Sequence, residues 1–225
     1  MRCTFISRNE TREESLRIET LIIAGWTGRD REAIETHIHE LGELGVPPPS
    51  QVPMFYPVSA SLLTTANVIE VVASTSSGEV EPLLVRHRGA LWVGIASDHT
   101  DRALETVSVH KSKQVCPKPI GSTFWLLDDL KGHWDAISLR SWLVSDSGRH
   151  LYQHGLLSAN RTPFDLCAEY ERLHTRALPT ALFCGTLPVQ GDIRGTLRFE
   201  MEMTDPVIGR TIWHAYDVIE YPERA

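Results

Sequence analysis

Glu79 and Glu81 stand two apart in Glu79-Val80-Glu81. On a β-strand, residues at that spacing project from one face, so both carboxylates point the same way. Like charges that close repel unless a cation or solvent lies between them. Most pairs of this kind edge a solvated strand, and alone the pattern says little. The next apolar run, Ala90–Ser97, delivers Asp98 at its end. If the two runs pair across a turn at 87–89, a third carboxylate joins the first two. Three carboxylates with water in the remaining positions form the oxygen-rich coordination that Mg²⁺ or Mn²⁺ prefers.

Other side chains supply the remaining parts of a reaction. His37 and Glu40 stand three apart in one helical run and share a face. As a lone pair they read first as a core-edge histidine with an ordinary partner. As a functional dyad, Glu40 orients the imidazole and His37 takes a proton from water. Lys111 and Lys113 precede the Cys116-Pro117 turn, and Arg102, four residues after Asp98, suits a substrate carboxylate. Gly185-Thr186 follows an apolar run, where a backbone amide and a hydroxyl can bind an anionic oxygen. The clusters His133-Trp134-Asp135 and Trp213-His214-Ala215-Tyr216 match no common zinc spacing and read as packing or pocket-wall residues.

Strand-length runs recur at 2–7, 16–24, 68–74, 79–86, 90–97, 181–186, 196–203 and 211–219, each bounded by turn residues. In 196–203, Leu197, Phe199, Met201 and Met203 alternate with polar residues, which predicts one buried face. Two segments read as helices. Over 30–44, Ile34, Ile38, Leu41 and Leu44 recur at helical spacing and Gly45 and Pro47 supply a stop. The second has Thr162 as N-cap and Pro163 in its first turn, and extends to about 177. Many strands with two substantial helices predict a mainly β, α+β fold. No repeat or linker divides the chain, so 1–225 reads as a single domain.

The 225 residues carry a formal net charge of −7 with no local basic run, which argues against nucleic acid or an anionic membrane as partner. The four cysteines are widely spaced without a CxxC pair, which fits a reducing compartment and neither a disulfide framework nor a zinc site. The first residues lack the apolar core of a signal peptide, and no apolar stretch is long enough to span a bilayer. A cytoplasmic location and a small-molecule substrate are the expectation.

In this order, the pieces resemble the fumarylacetoacetate hydrolase superfamily, in its divergent bacterial branch of the DUF2848 type. His37-Ile-His-Glu40-Leu-Gly is similar to the family's His-x-x-Glu-Leu-Gly, and 49–57 to its proline-rich lead-in. Glu79-Val-Glu81 is similar to its metal pair, and Gly94-Ile-Ala-Ser-Asp98-His-Thr-Asp-Arg102 to its Gly-Tyr-x-x-Asn-Asp-x-x-x-Arg. Cys116-Pro117 and Ala181-Leu-Phe-Cys-Gly185-Thr186 follow in register. The resemblance implies a mixed β-sandwich roll of the superfamily's C-terminal-domain type, commonly a homodimer. It also implies Mg²⁺ or Mn²⁺ on Glu79, Glu81 and Asp98, water activation by His37 with Glu40, and a lysine, Lys111 or Lys113, that steadies developing charge. Arg102, Gly185 and Thr186 would contact substrate. Glu105 stands where several members carry a substrate-binding Gln, and a carboxylate there disfavours the same dianionic substrate or calls for a cationic group on it. The hairpin between Glu81 and Asp98 is shorter than usual, and Leu187 displaces the proline expected after Gly-Thr.

The function so implied is metal-dependent hydrolysis of a carbon–carbon bond in a small oxo acid or related carbonyl compound. The alternatives are a metal-dependent 2-oxo acid decarboxylase, hydratase or tautomerase, and a non-catalytic binding protein that keeps the fold.

Overall fold

Val80–His87 runs into Ala90–Ser97 through Arg88 and Gly89, whose φ angles are 48° and 79°. Two left-handed residues in succession match the twist of the flanking strands, and glycine adopts that geometry without strain. The register places Val80 opposite Ser97 and His87 opposite Ala90. The computed structural model describes residues 1–43, 48–174 and 177–224, without the side chains of His37 and Leu41.

The hairpin is the middle of an eight-stranded mixed sheet. Its order is Thr11–Ser15, Arg2–Ile6, Thr123–Leu126, Ala90–Ser97, Val80–His87, Ala181–Phe183, Leu21–Gly25 and Met54–Val58. A five-stranded sheet, ordered Gly148–Leu156, Ser138–Ser145, Arg198–Asp205, Arg210–Tyr221 and Val68–Val72, covers one of its faces. Strand alternation sorts the side chains. Ile22, Ala24, Leu84, Val93 and Ile95 meet Leu139, Phe199, Met201, Met203 and Tyr216 in the core between the sheets. Leu21, Ile23, Leu83 and Val85 point to the opposite face and share a second core with Phe5, Tyr56 and Val58. Phe5 comes from near one edge of the large sheet and Tyr56 from the other edge strand. One cluster can hold both only if the sheet curls round it, as twisted sheets of this width do. This is the rolled, mixed β architecture expected from the resemblance.

Several boundaries differ from expectation. The run 16–24 does not form one strand. The Thr180 hydroxyl accepts the N–H groups of Glu19 and Thr20 at 2.9 and 2.8 Å, so the ladder resumes only at Leu21. Leu197, expected inward beside Phe199, is 60% exposed because its strand begins at Arg198. The second helix, Pro163–Leu173, carries the full capping box of Thr162 with Asp165 but ends at extended His174, short of 177. Arg31–Glu43 forms the first helix, with Ile34 and Ile38 half-buried; Leu41 and Leu44 lie outside the described side chains. Among the described residues, no helix is long and apolar enough to cross a membrane.

Candidate metal centre

The hairpin and the chain entering it bring the three acids together. Glu79 sits just before Val80–His87, but its backbone is held as a strand would hold it, its carbonyl accepting Asp98 N–H at 2.9 Å. Glu81 shares a strand face with Leu83 and Val85, so it points towards the second core at 2% exposure. Asp98, one residue past Ala90–Ser97, is fully buried. Carboxylate oxygens of Glu79, Glu81 and Asp98 lie within 4.8 Å of one another. At an effective dielectric of about 20, each ionised pair at that separation repels by roughly 3 kcal/mol or more. Compensation is therefore required, and the protein provides it unevenly.

Asp98 receives most of it. Lys113 Nζ lies 2.5 Å from Oδ2 and Lys118 Nζ 3.0 Å from Oδ1. Burial pushes the Asp98 carboxyl up, but the two ammonium groups outweigh that and bring it down to about 2. Glu79 is paired with Arg102, 3.1 Å away, and lies 3.9 Å from Lys113. Glu81 receives one hydrogen bond, from Gly185 N–H at 2.7 Å, and among the described residues it pairs with no cation. Burial, and next the Asp98 charge, holds its carboxyl well above the usual range against the opposing pull of Lys113. Asp98 Oδ1 lies buried against the Lys118 ammonium. A buried acid with no ion-pair partner among the described residues, close beside two further carboxylates, is a donor set that a hard divalent ion fits.

Of the two candidate lysines, the structure turns Lys113 inward and leaves Lys111 exposed. Both lie on the helix Val109–Gln114, which Ser108 caps through Lys111 N–H. Residues two apart on a helix face in nearly opposite directions, so one helix cannot present both. Lys118 was not anticipated. It follows the Cys-Pro turn directly, is fully buried, and also donates to the His99 carbonyl. Burial lowers its pKa, with Asp98 opposing.

Arg102 opens the helix Arg102–Glu105, which Asp101 caps through Leu104 N–H. Its guanidinium is divided: Nε donates to Ser77 Oγ at 2.7 Å, one terminal nitrogen faces Glu79, and the other lies 2.9 Å from Glu105 Oε2. Gly185 adopts φ +96°, and a Cβ there would lie 1.7 Å from Thr27 Oγ1, so only glycine can aim this amide at Glu81. The Thr186 hydroxyl is engaged by protein, donating to the Val80 carbonyl and accepting from Gln153 Nε2. Gln153 also accepts Val80 N–H, and Asn160 donates to the carbonyls of Gly185 and Thr186. Together they tie the Gly185 segment to the strand that carries Glu81.

His99 has both ring nitrogens occupied, by Tyr216 OH at 3.0 Å and Ser76 Oγ at 2.9 Å. Burial, then the Lys118 and Arg102 charges, lowers its pKa to about 3, so it is a neutral strut. His37 lies on the helix Arg31–Glu43 with its side chain outside the described residues, and Glu40 is exposed on the same helix. In the histidine clusters, His133 pairs with Asp205 at 3.0 Å, and Tyr216 joins His99 and Ser97 in the core.

Comparison with known proteins agrees with this architecture. The family model described as "Protein of unknown function (DUF2848)" matches residues 24–216. No curated protein matches the chain. Similar solved structures include 2-keto-3-deoxyarabinonate dehydratase, at 16% identity and TM-score 0.68 over 95% of this chain and 78% of that one. A structure of 2-keto-3-deoxy-D-arabinonate dehydratase complexed with magnesium and 2,5-dioxopentanoate gives 16% and 0.64, over 96% and 78%. The 4-oxalocrotonate decarboxylase from Pseudomonas putida G7, complexed with calcium and acetate, gives 11% and 0.56, over 91% and 78%. At these identities the likeness establishes a shared fold.

Proposed function

Because the chain belongs to the DUF2848 family and has the fold of the fumarylacetoacetate hydrolase superfamily, we propose that it is a divalent-metal-dependent enzyme acting on a small 2-oxo acid or related carbonyl compound. The observation that carries this is Glu81, a buried carboxyl beside two others with no cation of its own. Glu79, Glu81 and Asp98 would hold Mg²⁺ or Mn²⁺, and the ion would supply Lewis-acid polarisation of a carbonyl or enolate oxygen. Lys113 stands beside two of the three acids and is raised in pKa: burial lowers it, and the Asp98 and Glu79 charges more than reverse that. It is a fixed positive charge suited to an anion that develops next to the carbonyl.

Hydrolysis of a carbon–carbon bond is the preferred reaction, with His37 and Glu40 activating water. Decarboxylation is the second reading. It calls for no activated water, because the electron pair left by departing CO₂ passes to an enolate that Lys113 and an ion on the three acids would stabilise, and His99, the histidine beside the acids, has both ring nitrogens engaged. Turnover of a panel of 2-oxo and 2,4-dioxo acids, with Mn²⁺ and with chelator, tests the class. His37→Gln then separates the two reactions. Loss of a general base lowers the hydrolytic rate by about 10²–10⁴-fold, whereas a decarboxylase keeps its rate. Equal activity with and without chelator would remove the metal-dependent reading altogether.

A further inference from the structure

Where the strand Val80–His87 loses a neighbour, side chains take over, and they do so at the residue between two acids. Ala181–Phe183 pairs with that strand only as far as Leu83, and Cys184 N–H then reaches the Pro82 carbonyl at 3.0 Å. Gly185 turns away and gives its amide to Glu81. On the opposite side Asp98 N–H bonds the Glu79 carbonyl, so the N–H and C=O of Val80 point towards the gap left by Ala181–Phe183. Val80 is fully buried, and both groups would be orphaned there. Instead Gln153 Oε1 accepts the N–H at 3.0 Å, and the Thr186 hydroxyl donates to the carbonyl at 2.9 Å. The N–H belongs to the peptide plane joining Glu79 to Val80, and the carbonyl to the plane joining Val80 to Glu81. Holding both planes fixes the backbone on which the two carboxylates stand.

Gln153 is fully buried and spends every hydrogen-bonding position it has. Its Oε1 also accepts from Ser141 Oγ at 2.9 Å. Its Nε2 donates to Thr186 Oγ1 at 2.7 Å and to the Leu187 carbonyl at 2.6 Å. Val80 N–H can only donate and the Leu187 carbonyl can only accept, so the amide has one workable orientation. A carboxylate would turn an oxygen towards the Leu187 carbonyl, and an alkyl chain would serve none of the four partners. The side chain arrives through a β-bulge. Ser141 pairs with Gln153 and Trp142 with Leu151, which leaves Tyr152 as the extra residue. Tyr152 and Gln153 are therefore both buried, although neighbours on a regular strand point to opposite faces. Tyr152 packs against Phe199, while Gln153 crosses to the large sheet.

Given the metal-dependent reading above, we propose that Gln153 is a positioning residue of the metal centre. Through Val80 and Thr186 it sets the spacing of Glu79 and Glu81, and with it the affinity for a divalent ion. The test needs no substrate. Mn²⁺ is titrated calorimetrically into metal-free protein, well below the melting midpoint of each variant, and the electron paramagnetic resonance spectrum of the bound ion is recorded. Gln153→Met keeps the bulk and removes all four bonds. Its Mn²⁺ affinity should fall by about 10–100-fold, the scale of the partners that orient metal ligands, and the spectrum should change with the ligand geometry. Thr186→Val should shift both in the same direction, and Thr186→Ser, which keeps the hydroxyl, should match the parent. A Gln153→Met protein that melts lower yet binds Mn²⁺ with the parent's affinity and spectrum overturns the inference while leaving the metal centre intact. If Gln153→Met does not fold, the Thr186 variants decide, and parental affinity in Thr186→Val overturns it equally. A parent protein that binds no Mn²⁺ removes the metal-dependent reading, and the inference falls with it.

Discussion

Asp98 and Glu81 are both buried acids of the same cluster, yet they should respond to substitution in opposite ways. Asp98 neutralises two buried ammonium groups. Asp98→Ala strands both, and breaking a buried ion pair costs about 3–5 kcal/mol. Its loss of metal binding would therefore be mixed with loss of fold. Glu81 compensates no cation, so Glu81→Gln removes an acid that burial already penalises and keeps its size. In chelator, the Glu81→Gln protein should melt no lower than the parent. Its Mn²⁺ affinity should fall by at least about 100-fold, since even outer partners of a metal ligand contribute about 10–100-fold. Calorimetry showing undiminished affinity would take Glu81 out of the ligand set. The lysines give a second contrast. Lys113→Met should lower turnover by about 10²–10³-fold, the usual loss on removing a preorganised charge, while Lys111→Met leaves it unchanged. A rate lost on changing Lys111 instead would mean that the helix presents its other face to substrate.

At the level of elements, legibility followed how local the signal was. The hairpin was readable because its two apolar runs, its two-residue turn and its flanking acids are contiguous in sequence. The long helices were readable from period and caps. Ser138–Ser145 and Gly148–Leu156 were not, because their alternation is inverted at the telling positions. Ser141 is buried to hold Gln153, while Trp142 faces outward under Arg149, 3.6 Å from its ring. A β-bulge between Ser141 and Trp142 then shifts the pairing register. The short helix Val109–Gln114 has too few residues to show a period, which left Lys111 and Lys113 unresolved, and Lys118 lies beyond the Cys-Pro turn in a two-residue strand too short to show which way it points. Gly185 was recognised as an amide donor, but the reason it must be glycine lies in Thr27, far away in sequence. Gly185→Ala combines a φ of +96° with overlap at Thr27 Oγ1 and should destabilise by about 2–4 kcal/mol. It should also misdirect the amide that holds Glu81. A variant that melts like the parent would show that this segment relaxes freely.

Across the whole molecule, the acids sit on the large sheet beside residues that tie it to the five-stranded one. Glu81 belongs to the large sheet, and Gly185 follows the large-sheet strand Ala181–Phe183. Ser97 and His99, on either side of Asp98, both bond Tyr216 OH, which comes from the five-stranded sheet. An ion bound there needs the hairpin paired and its flanking acids brought together, so it should bind the folded state and not the unfolded chain. Mass action then stabilises folding by about 2.7 kcal/mol at a metal concentration 100 times Kd. In a chain of this size each kcal/mol moves the midpoint by roughly 2–4 °C. Scanning calorimetry should therefore show Tm higher by about 5–10 °C in excess Mn²⁺ than in chelator, within a single cooperative transition, because Ser97 and His99 beside Asp98 bond the other sheet through Tyr216. Glu81→Gln should abolish the increase, which separates binding at this centre from weak association with surface acids. An increase that survives in Glu81→Gln would place the ion elsewhere, and a midpoint indifferent to Mn²⁺ in the parent would mean that the three carboxylates hold no metal.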